Sequence, residues 1–237
     1  MRKYGISSVS LAWHCLGKRG YKKLRPMLSD IGADGIQFLP MRGWPYSKTS
    51  EIDDLVISGE DAWNYETGRL AWIKGWTWAS LRLLHLKLYP IPSPTYIDMF
   101  LFGKKYSPFF PNAIQVEHNP SIERAALEIK HPDINLTLED YRRLARAGKK
   151  FVIDTEYFRR EGGPSWRDLL RVIPWQQIVL IHLKFKNQNS DYYELLAFLR
   201  LNTKCPAILE IFPNRLSYEE TVDKYSSLVK NAQIMLR

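Results

Sequence analysis

Cysteine is the scarcest chemistry in this chain: Cys15 and Cys205 are the only two in 237 residues, far apart and without a C-x-x-C spacing. Neither a disulfide framework nor a thiolate zinc cluster is expected, and the expected compartment is the cytoplasm. Long apolar runs are missing as well. The most apolar stretch, residues 70–91, is interrupted by Lys74, Arg82, His85 and Lys87, so no membrane span is expected. Residues 6–13, which follow Arg2 and Lys3, include Ser7, Ser8 and Ser10 and run into His14, Lys18 and Arg19 without a small-residue cleavage site. They read as a strand, not as a leader. Internal repeats and low-complexity tracts are absent. What remains, 45% apolar, 25% charged and 13% aromatic residues, excludes a disordered chain, a collagen and a coiled coil.

Acidic residues are in deficit, 25 against 34 basic ones, for a formal net charge of +9. A basic balance can signal nucleic acid, but this excess is local. Residues 1–50 carry nine basic and two acidic side chains, 51–112 six and seven, and the remainder nineteen and sixteen. Lys18, Arg19, Lys22, Lys23 and Arg25 supply most of it, around the start of a predicted first helix. Two readings stay open: a solvated helix face, and a patch for phosphate or an acidic partner.

Short runs rich in Val, Ile and Leu recur from end to end, at 5–11, 35–39, 55–58, 113–118, 125–129, 151–155, 178–183 and 207–211. Most are followed by a polar or Gly/Pro-marked segment and then by helical periodicity, the alternation of βα units around a parallel sheet. Eight such units close a barrel. The chain is therefore expected to be an α/β protein, one (β/α)8 TIM barrel domain over residues 1–237. Helices are predicted over 21–31, 137–147, 165–172, 192–201 and 217–230; the segment starting at Thr137 has a capping residue, early acids, later basics and a terminal Gly148. Between the fourth and fifth runs only 119–124 remain, too few for a full crossover helix, so the fourth βα connection is expected to be shortened. Residues 72–112 are the least regular. Trp76–Leu88 is the predicted third helix there, and the aromatics around it either stack on a ligand from a long loop or fill core gaps.

In a parallel barrel the βα loops surround one shared mouth at the C-terminal strand ends. His118 ends the fourth run, Glu128 the fifth, Asp154 the sixth, His182 the seventh and Glu210 the eighth. All five are metal-ligand types set in apolar sequence, where a lone buried charge costs several kcal/mol. A strand-end carboxylate or a satisfied core histidine explains any one of them. Four or five on neighbouring strand ends, in barrel order, point to a shared cation or an ion-pair network. Oxygen and imidazole ligands without thiolate suit Mn²⁺, Mg²⁺, Co²⁺ or Zn²⁺. In an alternative alignment Glu117 is the fifth-strand ligand, which leaves seven strands; Glu117 and His118 are adjacent, so only one of them faces inward. Lys184, two residues past His182, shares its face if the strand continues. It then binds a substrate oxygen or phosphate, or is a solvated rim lysine.

The series Ala-Leu-Glu-Ile (126–129), Ile-Asp-Thr-Glu-Tyr (153–157), Ile-His-Leu-Lys (181–184) and Ile-Leu-Glu-Ile (208–211), with Gly-Ala-Asp-Gly-Ile at 32–36 and Gly-Ile-Ser at 5–7, resembles the xylose-isomerase-like barrels, specifically the sugar phosphate isomerase/epimerase group. The resemblance covers nearly the whole chain. It implies that Glu128, Asp154, His182 and Glu210 are the divalent-metal set, and that Glu128 and Glu210 also flank the substrate carbon and exchange its proton. That role is physically sound. A divalent ion chelated by adjacent carbonyl and hydroxyl oxygens acidifies the C–H between them and stabilises an enediolate, while a carboxylate on each face takes and returns the proton.

Lys184, Tyr157, His118 and Gln37 are the expected substrate contacts. Two of them depart from the family pattern: Tyr157 stands where the sixth strand commonly has a histidine, and Gln37 where the second often has a glutamate. Phe185 replaces an acid that commonly follows the seventh strand. The expected activity is isomerisation or epimerisation of a small sugar or sugar phosphate, with nucleic acid a lesser expected partner, no membrane, and no oligomeric state legible. The related barrel apurinic endonucleases are the competing reading; they use three zinc ions, and His14, His85, His118, His131 and His182 are too few for that. A barrel whose altered substrate residues leave only a ligand- or partner-binding module is the third.

Overall fold

The computed structural model describes residues 1–15, 22–38, 51–60, 110, 112–117, 120, 123, 125–129, 136–156, 164–185, 189–211 and 216–237. Eight strands, β1 (Tyr4–Ser7), β2 (Gly35–Phe38), β3 (Val56–Glu60), β4 (Ile114–Glu117), β5 (Ala126–Ile129), β6 (Phe151–Asp154), β7 (Ile178–Leu183) and β8 (Ala207–Leu209), form a closed barrel in chain order. Every neighbouring pair is parallel, and β8 returns to β1 through Tyr4 opposite Ala207. Each of the eight apolar runs supplies one strand. The runs are continuously apolar because a barrel strand is buried on both faces, by the interior and by the helices.

Some element bounds differ from the sequence reading. The first strand stops at Ser7, and Ser8–Leu11 turns as a 3₁₀ segment. The hydroxyl of Ser10 donates to the Ile211 carbonyl at 2.6 Å, a side-chain bond that competes with strand pairing. The third strand is longer than expected, running on to Glu60.

The short fourth connection holds. Only residues 118–125 join β4 to its parallel neighbour β5. A chain of that length extends to about 27 Å, enough to return along four-residue strands without a helix. Trp76–Leu88 and almost all of 72–112 lie outside the described residues.

Five helices of seven or more residues are described: α1 (Leu24–Ile31), α2 (Leu138–Arg146), α3 (Trp166–Val172), α4 (Ser190–Asn202) and α5 (Tyr218–Leu236). Their starts are written in the sequence. Thr137 and Ser217 form capping boxes with Asp140 and Glu220, while Ser165 and Asn189 accept from Asp168 N and Tyr192 N. α1 and α2 end at Gly32 and Gly148, whose φ of 76° and 81° a side chain would strain. α5 runs six residues past its predicted end, because Ala232 and Leu236 continue the buried stripe of Thr221, Tyr225 and Val229. No described helix is long and apolar enough to cross a membrane.

Two apolar layers result. The larger lies between strands and helices and includes Ile6, Leu28, Phe38, Leu127, Ile153, Ile181, Leu199 and Tyr225. The smaller fills the barrel interior with Ile57, Val116, Ala126, Val152, Leu180 and Ile208, one from each of β3 to β8. β1 and β2 contribute glycines to this space. A Cβ on Gly5 would meet Ile208 Cδ1 at 2.6 Å, and one on Gly35 would collide with the Leu55 carbonyl. The interior floor is thus packed by isoleucines from β3 and β8 filling the room left by β1 and β2.

Candidate metal centre

Side chains alternate along a strand, so the residue two positions after an inward apolar one is inward too. Applied to the floor layer, Ala126 leads to Glu128, Val152 to Asp154, Leu180 to His182 and then Lys184, and Ile208 to Glu210. A charged layer therefore sits directly on the apolar floor, on β5 to β8. Lys184 and Glu210 lie one residue past their strands, yet backbone pairing reaches them: Glu210 N donates to the Leu183 carbonyl at 3.0 Å and Thr155 N to the His182 carbonyl at 3.0 Å, while Lys184 N is held by the Thr155 side-chain oxygen at 3.0 Å. The strand-end register predicted for Lys184 is present.

His182 is the hub. Its Nδ1 lies 2.9 Å from Glu128 Oε1 and 3.1 Å from Glu210 Oε1, and its Nε2 lies 3.1 Å from the Gln37 amide nitrogen. With the amide donating to Nε2, the ring proton sits on Nδ1 and points at Glu128. A second cluster adjoins the first. Lys184 Nζ is 2.8 Å from Asp154 Oδ2, 3.0 Å from Glu210 Oε2 and 3.4 Å from Glu156 Oε2. Asp154 Oδ1 accepts from the Glu156 amide at 2.8 Å. Glu210 belongs to both clusters, one oxygen on the imidazole and the other on the ammonium.

Three carboxylates thus surround one ammonium, with Glu128 a fourth on the far side of His182. Burial works to lower the Lys184 pKa, but the carboxylates of Glu210 and Asp154 outweigh it and hold the ammonium charged well above the usual lysine range. Burial raises the Glu210 pKa, His182 and Lys184 pull it back, and Asp154 and Glu128 push it up again. The net carboxylate excess is electrostatically costly in so enclosed a place unless a cation offsets it.

The donor set fits a divalent ion. One ligand atom from each of Glu128, His182 and Glu210 falls within 4.8 Å of the other two. Adjacent ligands of an octahedral ion bonded at about 2.1 Å stand about 3.0 Å apart, and the two contacts at His182 Nδ1 are 2.9 and 3.1 Å. Among the described residues this is the one such group. Comparison with known proteins gives no match among family models or curated sequences. The geometry alone therefore speaks for the site.

Of the expected metal set, Glu128, His182 and Glu210 come together, while Asp154 joins them through Lys184. The eight-strand barrel leaves Glu128 on β5, as the preferred alignment has it, and Glu117 on β4. Gln37 is fully buried and faces His182. Tyr157 and His118 lie outside the described residues, as does the side chain of Glu117. Sequence reasoning missed Glu156, whose signal was its place two residues after Asp154, and Thr155, which accepts from the Lys184 amide while its own N–H donates to the His182 carbonyl at 3.0 Å. It also missed Ser58, buried opposite Gln37 on β3 with no partner for its hydroxyl among the described residues.

Of the basic residues near the N-terminus, Arg25 is bridged twice by Asp54, at 3.0 and 2.9 Å, while Lys22 and Lys23 are exposed. Lys18 and Arg19 lie outside the described residues.

Proposed function

We propose that this protein is a divalent-metal-dependent isomerase or epimerase of a small sugar or sugar phosphate, of the xylose-isomerase-like kind that its strand-end motifs resemble. The observation that carries the reading is the convergence of Glu128, His182 and Glu210 on one point above the barrel floor, with ligand spacing suited to Mn²⁺, Mg²⁺, Co²⁺ or Zn²⁺. These three residues hold the ion, and Asp154 is the fourth ligand that the resemblance implies. Each Asp154 oxygen already accepts one bond, which leaves each a second lone pair. Ligation through His182 Nδ1 requires the tautomer with its proton on Nε2. Gln37 serves that form by presenting its carbonyl oxygen instead of its amide nitrogen.

A divalent ion bound there supplies the positive charge that stabilises an enediolate. The protein does the rest. Glu128 and Glu210 come from β5 and β8, on either side of His182 on β7, so two carboxylates are available to a substrate carbon from two directions. One on each face inverts a stereocentre; one acting at two neighbouring carbons interconverts aldose and ketose.

Metal analysis of the purified protein and of the Glu128→Gln/Glu210→Gln double variant tests the reading. The expected result is a stoichiometric ion lost in the variant, together with solvent deuterium appearing at the carbon next to the carbonyl of a turned-over ketose. Full metal retention by the double variant overturns it.

A further inference from the structure

The second cluster, around Lys184, has the form of a cation site. Three carboxylates on three positions, Asp154, Glu156 and Glu210, face one point at 2.8, 3.4 and 3.0 Å. Glu210 bridges that point to the first cluster, one oxygen to each. A carboxylate shared in this way can bridge the ions of a two-metal centre, one oxygen on each. The point is already occupied, by the ammonium of the chain's own lysine.

We infer that the Lys184 ammonium stands in for a second divalent ion, so that the centre takes one metal beside Glu128, His182 and Glu210 and keeps an internal cation beside Asp154 and Glu156. The inference rests on the metal reading above and extends it to the stoichiometry of the site and the role of this lysine.

Three features support it. Lys184 is reached only by carrying the inward face of β7 one step beyond His182, which puts its stem along the barrel wall and its head among the acids; the side chain is 19% exposed. It has three N–H bonds and faces three carboxylates, which leaves no donor for a substrate oxygen or phosphate. The ammonium also carries one charge where a metal would carry two, so Glu128, Asp154, Glu156 and Glu210 keep an excess of three negative charges, of which a single divalent ion offsets two, whereas a second would meet the ammonium at close range. Lys184 is on this account a positioning residue. It holds Glu210 Oε2 while Oε1 stays directed to the metal position.

The test is metal stoichiometry in the full-length protein, by Mn²⁺ titration with calorimetric and electron-paramagnetic readout, for the wild type, Lys184→Ala, Lys184→Gln and Lys184→Arg. The expected result is one Mn²⁺ per chain in the wild type and in Lys184→Arg, which keeps the charge. Lys184→Ala and Lys184→Gln should take two, with the spin coupling of a neighbouring pair. Should Lys184→Ala fail to fold, Lys184→Gln keeps the stem and the question. Two ions in the wild type, or one in every variant, overturn the inference and leave the metal reading intact. No ion in any of the four proteins overturns that reading and the inference with it.

Discussion

The floor of the barrel and the layer above it are built by the same strands, two residues apart, and obey opposite rules. In the floor, Ile57, Val116, Ala126, Val152, Leu180 and Ile208 fill the interior with no ionisable group among them. One step up, Glu128, Asp154, His182, Lys184 and Glu210 crowd charge into nearly as enclosed a space. The floor is what hydrophobic burial prefers. The upper layer is what burial penalises, tolerated because every charge in it has a partner and because the floor beneath is rigid enough to hold the partners in place. The difference places the packing of the barrel in one layer and the candidate metal ligands in the other.

Moving charge into the floor should break that division most severely. Val152→Asp places a carboxylate below the reach of Lys184; an unpaired buried charge costs about 3–5 kcal/mol, and the variant should lose much of its urea resistance or fail to fold. Truncating the floor comes next. Ile208→Ala removes the side chain that fills the space beside Gly5, and about 2–5 kcal/mol of unfolding free energy should go with it.

In the upper layer the largest expected effect is a gain. Mn²⁺ at about a hundredfold excess over its dissociation constant should stabilise the wild type by about 2.7 kcal/mol, measured as a shift in thermal midpoint. The Glu128→Gln/Glu210→Gln protein should show no such shift; an equal shift there would erase the distinction between the layers. Glu128→Gln alone, by relieving carboxylate crowding while the amide oxygen still accepts from His182, should leave metal-free stability within about 1 kcal/mol of the wild type.

The smallest effect is a pH dependence. The Lys184 pKa is raised in the folded state. Its contribution is therefore complete below the ordinary lysine range and is lost as pH rises above about 10, because the unfolded chain sheds that proton first. Metal-free wild type should lose stability along this alkaline limb more steeply than Lys184→Met, compared by urea unfolding across the limb.

Much of this was legible in the residues. The eight apolar runs are strands because both of their faces are buried, and Thr137, Ser165 and Ser217 each stand at a helix start because a side-chain oxygen can take up a free backbone N–H. The candidate ligands were readable as polar residues interrupting apolar runs at strand ends. The pairing of Asp154 and Glu210 with Lys184, and the third partner Glu156, were not. Glu156 lies past the end of its strand, and although its place two residues after Asp154 continues that face, nothing local tells that its carboxylate turns toward β7 rather than solvent.

By itself, then, the sequence determined the number of strands, the caps that begin the helices, and the parity that sends Glu128, Asp154, His182, Lys184 and Glu210 to one face. Those follow from local rules: the two-residue period of a strand and the hydrogen-bonding needs of a helix end. Only the closed barrel decided which of these residues meet. Gln37 on β2 reaches His182 on β7 across the interior, and Glu210 on β8 divides its two oxygens between His182 and Lys184. Such contacts join residues far apart in the chain, and their spacing comes from the stagger with which eight tilted strands close on themselves, a property that no single strand carries.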